Sequence, residues 1–152
     1  MGDLTEHFNS IEFACRGRNC CGGLAIVAPI LIDYAERLRC RLDVPLRINS
    51  GFRCLTHNRA VHGSPKSNHC RGTAIDIQVP VGITMQALYE AALIPLSSAP
   101  FRFILYPTRH FIHVDLEVFE RSFGYIDLKP VTLDCATHHE AFFKPYAKAP
   151  NT

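Results

Sequence analysis

The sequence lacks both an excess of charge of one sign and any long hydrophobic run. Its 152 residues include 16 Lys and Arg against 14 Asp and Glu, which gives a formal net charge of +2 with neutral histidines. A chain so nearly balanced has no global field to attract nucleic acid or an anionic membrane surface, which leaves only a local patch for such contacts, and no nucleic-acid partner is expected. The longest apolar run, Leu24 to Ile32, contains Pro29 and is too short for a membrane span of about 20 residues.

The first ten residues also lack the apolar core of an export leader. Met1 to Ser10 includes the charged residues Asp3 and Glu6. The sequence therefore predicts no Sec signal peptide, and we expect synthesis in the cytoplasm with any export by another route.

Hydrophobic periodicity predicts an α+β fold in a single domain. No internal repeat or linker divides residues 1–152, although residues 1–23 form an irregular arm and residues from about 120 to 152 form a weakly patterned, unassigned tail. Apolar spacing predicts helices over 28–39, 56–61 and 84–93, and strands over 46–50, 73–79, 101–106 and 111–116. So few strands, without regular alternation of strand and helix, favour a small antiparallel β-sheet with flanking helices.

Cysteine and histidine are unusually frequent, with 7 and 8 residues respectively. An odd number of cysteines leaves one thiol over if all the others pair. Cys15, Cys20 and Cys21 are close in the chain, but their spacing matches neither a zinc ribbon nor a redox Cys-x-x-Cys motif. Three interpretations stay open: reduced thiols packed as small hydrophobic side chains, a disulfide within the arm, or a second, structural metal site.

Two predicted strands carry polar side chains that point toward metal chemistry. Asp76 lies on the strand face opposite its apolar residues, and His69 lies in the loop that enters this strand. On the last predicted strand, His113 and Asp115 share one face. If the two strands are neighbours in one sheet, then His69, Asp76 and His113 converge. Two neutral imidazoles and one carboxylate suit Zn²⁺, and a three-ligand site with a fourth position left for water is typical of catalytic zinc.

The stretch from Ser67 to Asp76 resembles a motif of the D-alanyl-D-alanine carboxypeptidase family of zinc peptidases. The pattern Ser-x-His-x-x-Gly-x-Ala-x-Asp is filled at every fixed position, and a histidine follows on a later strand. The segments Ile48–Arg53 and Ile104–Asp115 are similar to further parts of the family's pattern, and Phe8–Cys20 looks like the arm of a phage-associated branch. The resemblance extends over roughly residues 5–117.

This resemblance implies a fold shared with the VanX dipeptidases, the phage L-alanyl-D-glutamate endopeptidases and the hedgehog signalling domain. It implies that His69, Asp76 and His113 are the zinc ligands of a carboxypeptidase or endopeptidase that cuts peptidoglycan stem peptides. Arg53 would then stabilise the developing oxyanion or bind a substrate carboxylate. Ser67 would hydrogen-bond the substrate or fix the loop that holds His69.

The sequence departs from the family pattern at the general base. Better-known members carry Glu or Asp three residues before the last zinc ligand, where this sequence has His110. The ordinary pKa of imidazole suits a general base near neutral pH, so His110 is the first choice. Asp115 is the alternative base, or else it orients a ligand imidazole.

The missing carboxylate at position 110 keeps a second function open. Together with the hedgehog precedent, it favours a non-catalytic zinc-binding recognition domain as the alternative to a peptidase. We expect a monomer under either hypothesis. For a lytic enzyme without a Sec signal peptide, release by cell lysis or carriage in a phage particle are the expected routes outward.

Overall fold

The computed structural model describes residues 2–93, 101–116, 123–126 and 129–132. Within these ranges the helices are α1 (Pro29–Leu42), α2 (Leu55–Ala60) and α3 (Met85–Ala92). The strands are β1 (Ile48–Ser50), β2 (Ala74–Gln78), β3 (Phe101–Tyr106), β4 (Phe111–Leu116), β5 (Phe123–Ile126) and β6 (Lys129–Thr132). Short 3-10 turns occupy Ser10–Phe13, Asn68–Arg71 and Pro107–Arg109. No helix of the described ranges has the length and apolar character that a membrane crossing requires.

The strands form one sheet in the order β1-β2-β4-β3-β5-β6. The first four strands in this order, β1, β2, β4 and β3, pair with one another in antiparallel fashion. This confirms the predicted α+β fold with a small antiparallel sheet. The sheet also extends beyond the prediction, because β5 pairs with β3 in parallel and β6 pairs with β5. These two strands lie in the tail that the sequence left unassigned. Its other residues, with Cys135, His138 and His139, lie outside the described residues.

Helix boundaries follow local capping chemistry. Pro29 opens α1 at a position where a missing N–H costs nothing, as the sequence predicted. The helix runs one turn past the predicted end, to Leu42, and Asp43 closes it in the left-handed conformation with a φ of 52°. Thr84 caps α3 as predicted, since its hydroxyl oxygen accepts the backbone N–H of Ala87 at 3.0 Å.

The core lies on one face of the sheet. Ile75 and Ile77 of β2 and Ile112 and Val114 of β4 are fully buried among residues of α1 and α3. Tyr34 of α1 is buried as well, and its hydroxyl donates to the carbonyl of Ala92 at 2.8 Å. Since side chains alternate along a strand, this packing leaves the polar residues of β2 and β4 on the other face.

The arm (residues 2–23) is irregular apart from its 3-10 turn, but it is firmly packed. Phe8 and Phe13 are buried, and their ring centroids lie 5.8 Å apart. The backbone N–H of Phe52 donates to the carbonyl of Phe13 at 2.8 Å. A Cβ atom at Gly51 would lie 2.4 Å from the same carbonyl oxygen, so only glycine permits this approach. The arm therefore covers the segment that follows β1.

Candidate metal centre and its cleft

Three potential ligand atoms meet on the polar face of the sheet. Asp76 and His113 are direct cross-strand partners in the β2–β4 pair, and His69 reaches the same point from the 3-10 turn before β2. The Oδ1 atom of Asp76 lies 2.7 Å from Nδ1 of His113 and 3.3 Å from Nε2 of His69. The two imidazole nitrogens are 3.2 Å apart. The structure thus brings together the three residues that the sequence predicted as metal ligands.

A backbone carbonyl fixes the tautomer of His69. Its Nδ1 lies 2.7 Å from the carbonyl oxygen of Gly51, and since a carbonyl can only accept, Nδ1 carries the proton. In the neutral ring, Nε2 then bears the lone pair that faces Asp76 and His113. The imidazole is 2% exposed, and the His69 carbonyl accepts the backbone N–H of Arg53 at 3.1 Å. His69 is therefore oriented on both sides by the segment that the arm covers.

A second carboxylate orients His113 from the opposite side. Nε2 of His113 donates to Oδ2 of Asp115 at 2.7 Å, which leaves Nδ1 turned toward Asp76. Asp115 is completely buried, and the guanidinium of Arg102 donates to both of its oxygens, with Nε 3.1 Å from each. Arg102 and Asp115 are direct partners across the β3–β4 hairpin. A histidine ligand with a hydrogen-bonded carboxylate behind it is a common arrangement around catalytic metals.

The electrostatics of the group favour charged forms in spite of burial. Burial disfavours ionised Asp76, but the hydrogen bonds with His113 and His69 outweigh it and lower the pKa of this carboxyl well below its usual value. Burial likewise opposes the charged form of His113, yet its hydrogen bonds with Asp115 and Asp76 raise its pKa to about 9. The pKa of Asp115 is lowered, because contact with His113 and Arg102 overcomes the cost of burial. The site is thus built to hold negative carboxylates beside a cation.

The donor set fits a zinc ion. Donor atoms bound to one tetrahedral zinc at about 2.0–2.1 Å lie about 3.3 Å apart, which the distances from His69 Nε2 to Asp76 and to His113 match. All three donor atoms lie within 4.8 Å of one another. The set contains no thiolate, and its three ligands leave a coordination position for water or substrate.

The three candidate ligands line a cleft of about 390 Å³ with a predominantly cationic wall. Beside the two carboxylates, the wall includes four cationic side chains: Arg53, Lys66, Arg102 and Arg109. Arg53 donates from Nη2 to the hydroxyl of Ser67 at 3.3 Å, while its Nε is buried without a hydrogen-bond partner in the described structure. Ser67 also accepts the backbone N–H of His69 at 3.3 Å. Arg53 therefore keeps donor capacity at the cleft, and Ser67 links it to the His69 turn.

The predicted proton acceptor His110 lies elsewhere. It ends the turn between β3 and β4 in the left-handed conformation, with a φ of 53°. Its side chain is exposed and is not among the residues that line the cleft. The neighbouring Arg109 does line the cleft, with its guanidinium 4.4 Å from the ring centroid of Tyr106.

Two groups that orient the candidate ligands, Arg102 and the carbonyl of Gly51, were not predicted from the sequence. Arg102 could have been found, because a hairpin that pairs Tyr106 with Phe111 also places Arg102 opposite Asp115. The carbonyl of Gly51 carries no signal in the sequence, since any residue offers the same atom. His62 also lines the cleft, and the sequence assigned it no role.

Two histidines and one aspartate in a cationic cleft on an antiparallel sheet fit the ligand chemistry of a metal-dependent hydrolase. A family model described as Peptidase M15 matches residues 6–115, which include every ligand and cleft residue named above. The match spans most of the chain, and the chain belongs to the peptidase M15 family, whose members are metallopeptidases. A comparison with curated proteins gives no match.

Proposed function

We propose that this M15 peptidase is a zinc enzyme that hydrolyses a peptide bond in peptidoglycan stem peptides, as a carboxypeptidase or an endopeptidase. The observation that carries the proposal is the convergence of His69 Nε2, Asp76 Oδ1 and His113 Nδ1 in one cleft. The cationic wall suits stem peptides, which carry free carboxylates. The phage-associated branch and the monomeric state predicted from the sequence belong to the same proposal.

In this proposal, each group of residues in the cleft has a separate role in hydrolysis. When bound to the three ligands, zinc would polarise the scissile carbonyl and lower the pKa of a water molecule. Arg53 would donate to the carbonyl oxygen as negative charge develops, or to a substrate carboxylate, with Ser67 as its partner. Asp115 would act as a positioning residue, because its hydrogen bond to Nε2 turns Nδ1 of His113 toward the other ligands.

Proton transfer has two proposed carriers, His110 and Asp115. The burial of Asp115 and its contacts with Arg102 and His113 support an orienting role. Since His110 is exposed and does not line the cleft, its side chain would have to turn toward the substrate to accept a proton. A general base contributes about 10²- to 10⁴-fold to the rate, so His110→Ala should lower kcat by that factor and remove a limb of the pH profile. A variant with the normal kcat and pH profile would exclude His110 as the base.

Digestion of purified sacculi tests the proposed activity. Mass spectrometry of the fragments should show stem peptides cut at one type of bond by the zinc-loaded protein. Chelation or His69→Ala should abolish the products, whereas His7→Ala, which alters a histidine in the arm, should leave them unchanged. Turnover by His69→Ala at the normal rate would contradict the ligand assignment.

A non-catalytic zinc-binding recognition domain is the second candidate. Two observations favour it: both oxygens of Asp115 are engaged by Arg102, and His110 is not among the residues that line the cleft. Zinc bound at the site, with binding to sacculi but no released fragment, would establish this alternative and exclude the peptidase.

A further inference from the structure

Four cysteine thiols meet at the junction of the arm and α2. Cys15, Cys20 and Cys21 come from the arm, and Cys54 precedes the first residue of α2. Their sulfur atoms all lie within 4.8 Å of one another. The Sγ atom of Cys20 is 3.8 Å from that of Cys15 and 3.9 Å from that of Cys21. The sequence grouped only the first three, because Cys54 is distant in the chain.

These spacings fit four thiolates around one ion. Sulfur atoms bound to a tetrahedral zinc at about 2.3 Å lie about 3.8 Å apart. A disulfide would need two sulfurs at about 2.05 Å, and all four cysteines are free thiols. We propose that Cys15, Cys20, Cys21 and Cys54 form a structural zinc site, separate from the histidine–aspartate centre.

The surrounding backbone is arranged to serve sulfur acceptors. The backbone N–H of Cys54 donates to Sγ of Cys15 at 3.5 Å, and that of His57 donates to Sγ of Cys54 at 3.4 Å. Hydrogen bonds of this kind stabilise thiolate ligands and orient them. Gly17 lets the loop pass over the cluster, since a Cβ atom there would lie 2.6 Å from Sγ of Cys20.

The cluster closes the arm onto the catalytic side of the molecule. A hydrogen bond from the Cys15 N–H to the Leu24 carbonyl, at 2.9 Å, joins the ends of the loop that holds the cysteines. Cys54 directly follows Arg53, and in the same segment the carbonyl of Gly51 accepts a hydrogen bond from Nδ1 of His69. A metal at the four thiolates would therefore fix the segment from Gly51 to Cys54, which contains Arg53 and orients His69. With four thiolates and no open position, its role is structural.

Another group of potential ligands supplies the control. Nδ1 of His7 lies 2.6 Å from Oε1 of Glu36, and the exposed Cys40 lies beside them. This pair is already satisfied within the protein. Cys40→Ser thus removes one thiol of the chain without touching the four-thiol cluster.

Metal counting on the reduced full-length protein, followed by cobalt substitution, tests the site. We expect two zinc ions per chain in the wild type and in Cys40→Ser, but one in Cys20→Ser, Cys21→Ser and Cys54→Ser. Cobalt in the wild type should give thiolate-to-metal charge-transfer bands, which the three cluster variants lose. X-ray absorption should show zinc–sulfur distances of about 2.3 Å.

The variant His69→Ala separates this site from the proposed peptidase centre. It should lose one zinc ion and the activity while keeping the thiolate-to-cobalt bands. If the protein proved not to be a peptidase but the four-thiolate site existed, the thiolate-to-cobalt bands would still be observed. A wild type that binds one zinc and shows no thiolate-to-cobalt band would overturn the inference, as would a disulfide between two of the four cysteines in freshly reduced and desalted protein.

Discussion

At the scale of single residues, each of the two candidate histidine ligands is held in orientation by a second group. His69 is oriented by the Gly51 carbonyl and His113 by Asp115, which in turn is held by Arg102. The contacts with Gly51 and Asp115 each engage one ring nitrogen of a histidine and leave its other nitrogen facing the centre. Losing one of them should therefore affect both metal affinity and stability.

Substitution of Arg102 tests the buried carboxylate at this scale. Arg102→Ala removes the cation beside a fully buried Asp115, so unfolding should become easier by about 2 to 3 kcal/mol. Urea denaturation at neutral pH measures the change. The exposed ion pair between Arg37 and Asp33 on α1 gives the matched control, and Arg37→Ala should cost less than about 0.5 kcal/mol. Equal effects of the two substitutions would contradict the stabilising role of Arg102.

The side-chain part of the centre was accessible from the sequence, while its backbone part was not. Alternation along β2 and β4 placed Asp76, His113 and Asp115 on one face, and the structure shows that register. The role of Gly51 depends on the packing of the arm, a contact between segments distant in the chain. Such contacts leave no periodic signal, which also explains why Cys54 was not grouped with the arm cysteines.

At the scale of elements, the predictions succeeded where strong local signals mark a boundary. The bounds of β3 and β4 match the prediction, because clean apolar runs flank a proline-containing turn. The end of α1 was predicted three residues early, since Asp43 in a left-handed conformation is a weak stop signal compared with glycine. Strands β5 and β6 were missed because their segments show no clear alternation.

The contact between the arm and the β1–α2 segment can be tested at Gly51. Gly51→Ala puts a methyl group within 2.4 Å of the Phe13 carbonyl, so the arm must shift and the hydrogen bond to His69 must distort. We expect a loss of stability and a 10- to 100-fold weaker zinc affinity at the histidine–aspartate centre, the usual range for an outer partner of a ligand.

Competition titration with a zinc chelator measures this affinity. Gly82→Ala is the control, since a Cβ there has no neighbour within 4 Å and only the positive φ of 82° is strained. Zinc affinity equal to that of the wild type in Gly51→Ala would show that the carbonyl does not orient His69.

The contact between the arm and α1 predicts a dependence of stability on pH. Burial raises the pKa of Glu36, but hydrogen bonds from Thr5 and His7 outweigh burial and hold it below its usual value of 4.5. A lowered folded pKa gives stability that is present above about pH 4.5 and is lost as the pH falls through the folded pKa. The advantage of the wild type over Glu36→Gln in unfolding free energy should therefore shrink from about pH 6 to about pH 3. If the difference in unfolding free energy stayed constant or grew as the pH fell, ionised Glu36 would not stabilise the contact between the arm and α1.

At the scale of the whole molecule, the hydrophobic core and the candidate metal centre lie on opposite faces of one sheet. Its apolar face packs on α1 and α3, while its polar face carries the ligands and the cationic cleft. Arg53 lines that cleft and directly precedes Cys54, whereas none of the four cluster cysteines is among the residues that line it. Membership of the M15 family and this geometry together support the zinc peptidase proposal.

The most direct measurement is the zinc dependence of stem-peptide cleavage by Asp76→Asn against the wild type. The amide keeps the shape of Asp76 but removes the negative charge that both His69 and His113 contact. Thermal unfolding of both proteins would verify that the variant is folded. We predict zinc-dependent cleavage by the wild type and a rate lower by at least about a hundredfold in the variant at saturating zinc. Equal rates, or cleavage by the wild type that persists after complete removal of metal, would contradict the proposal.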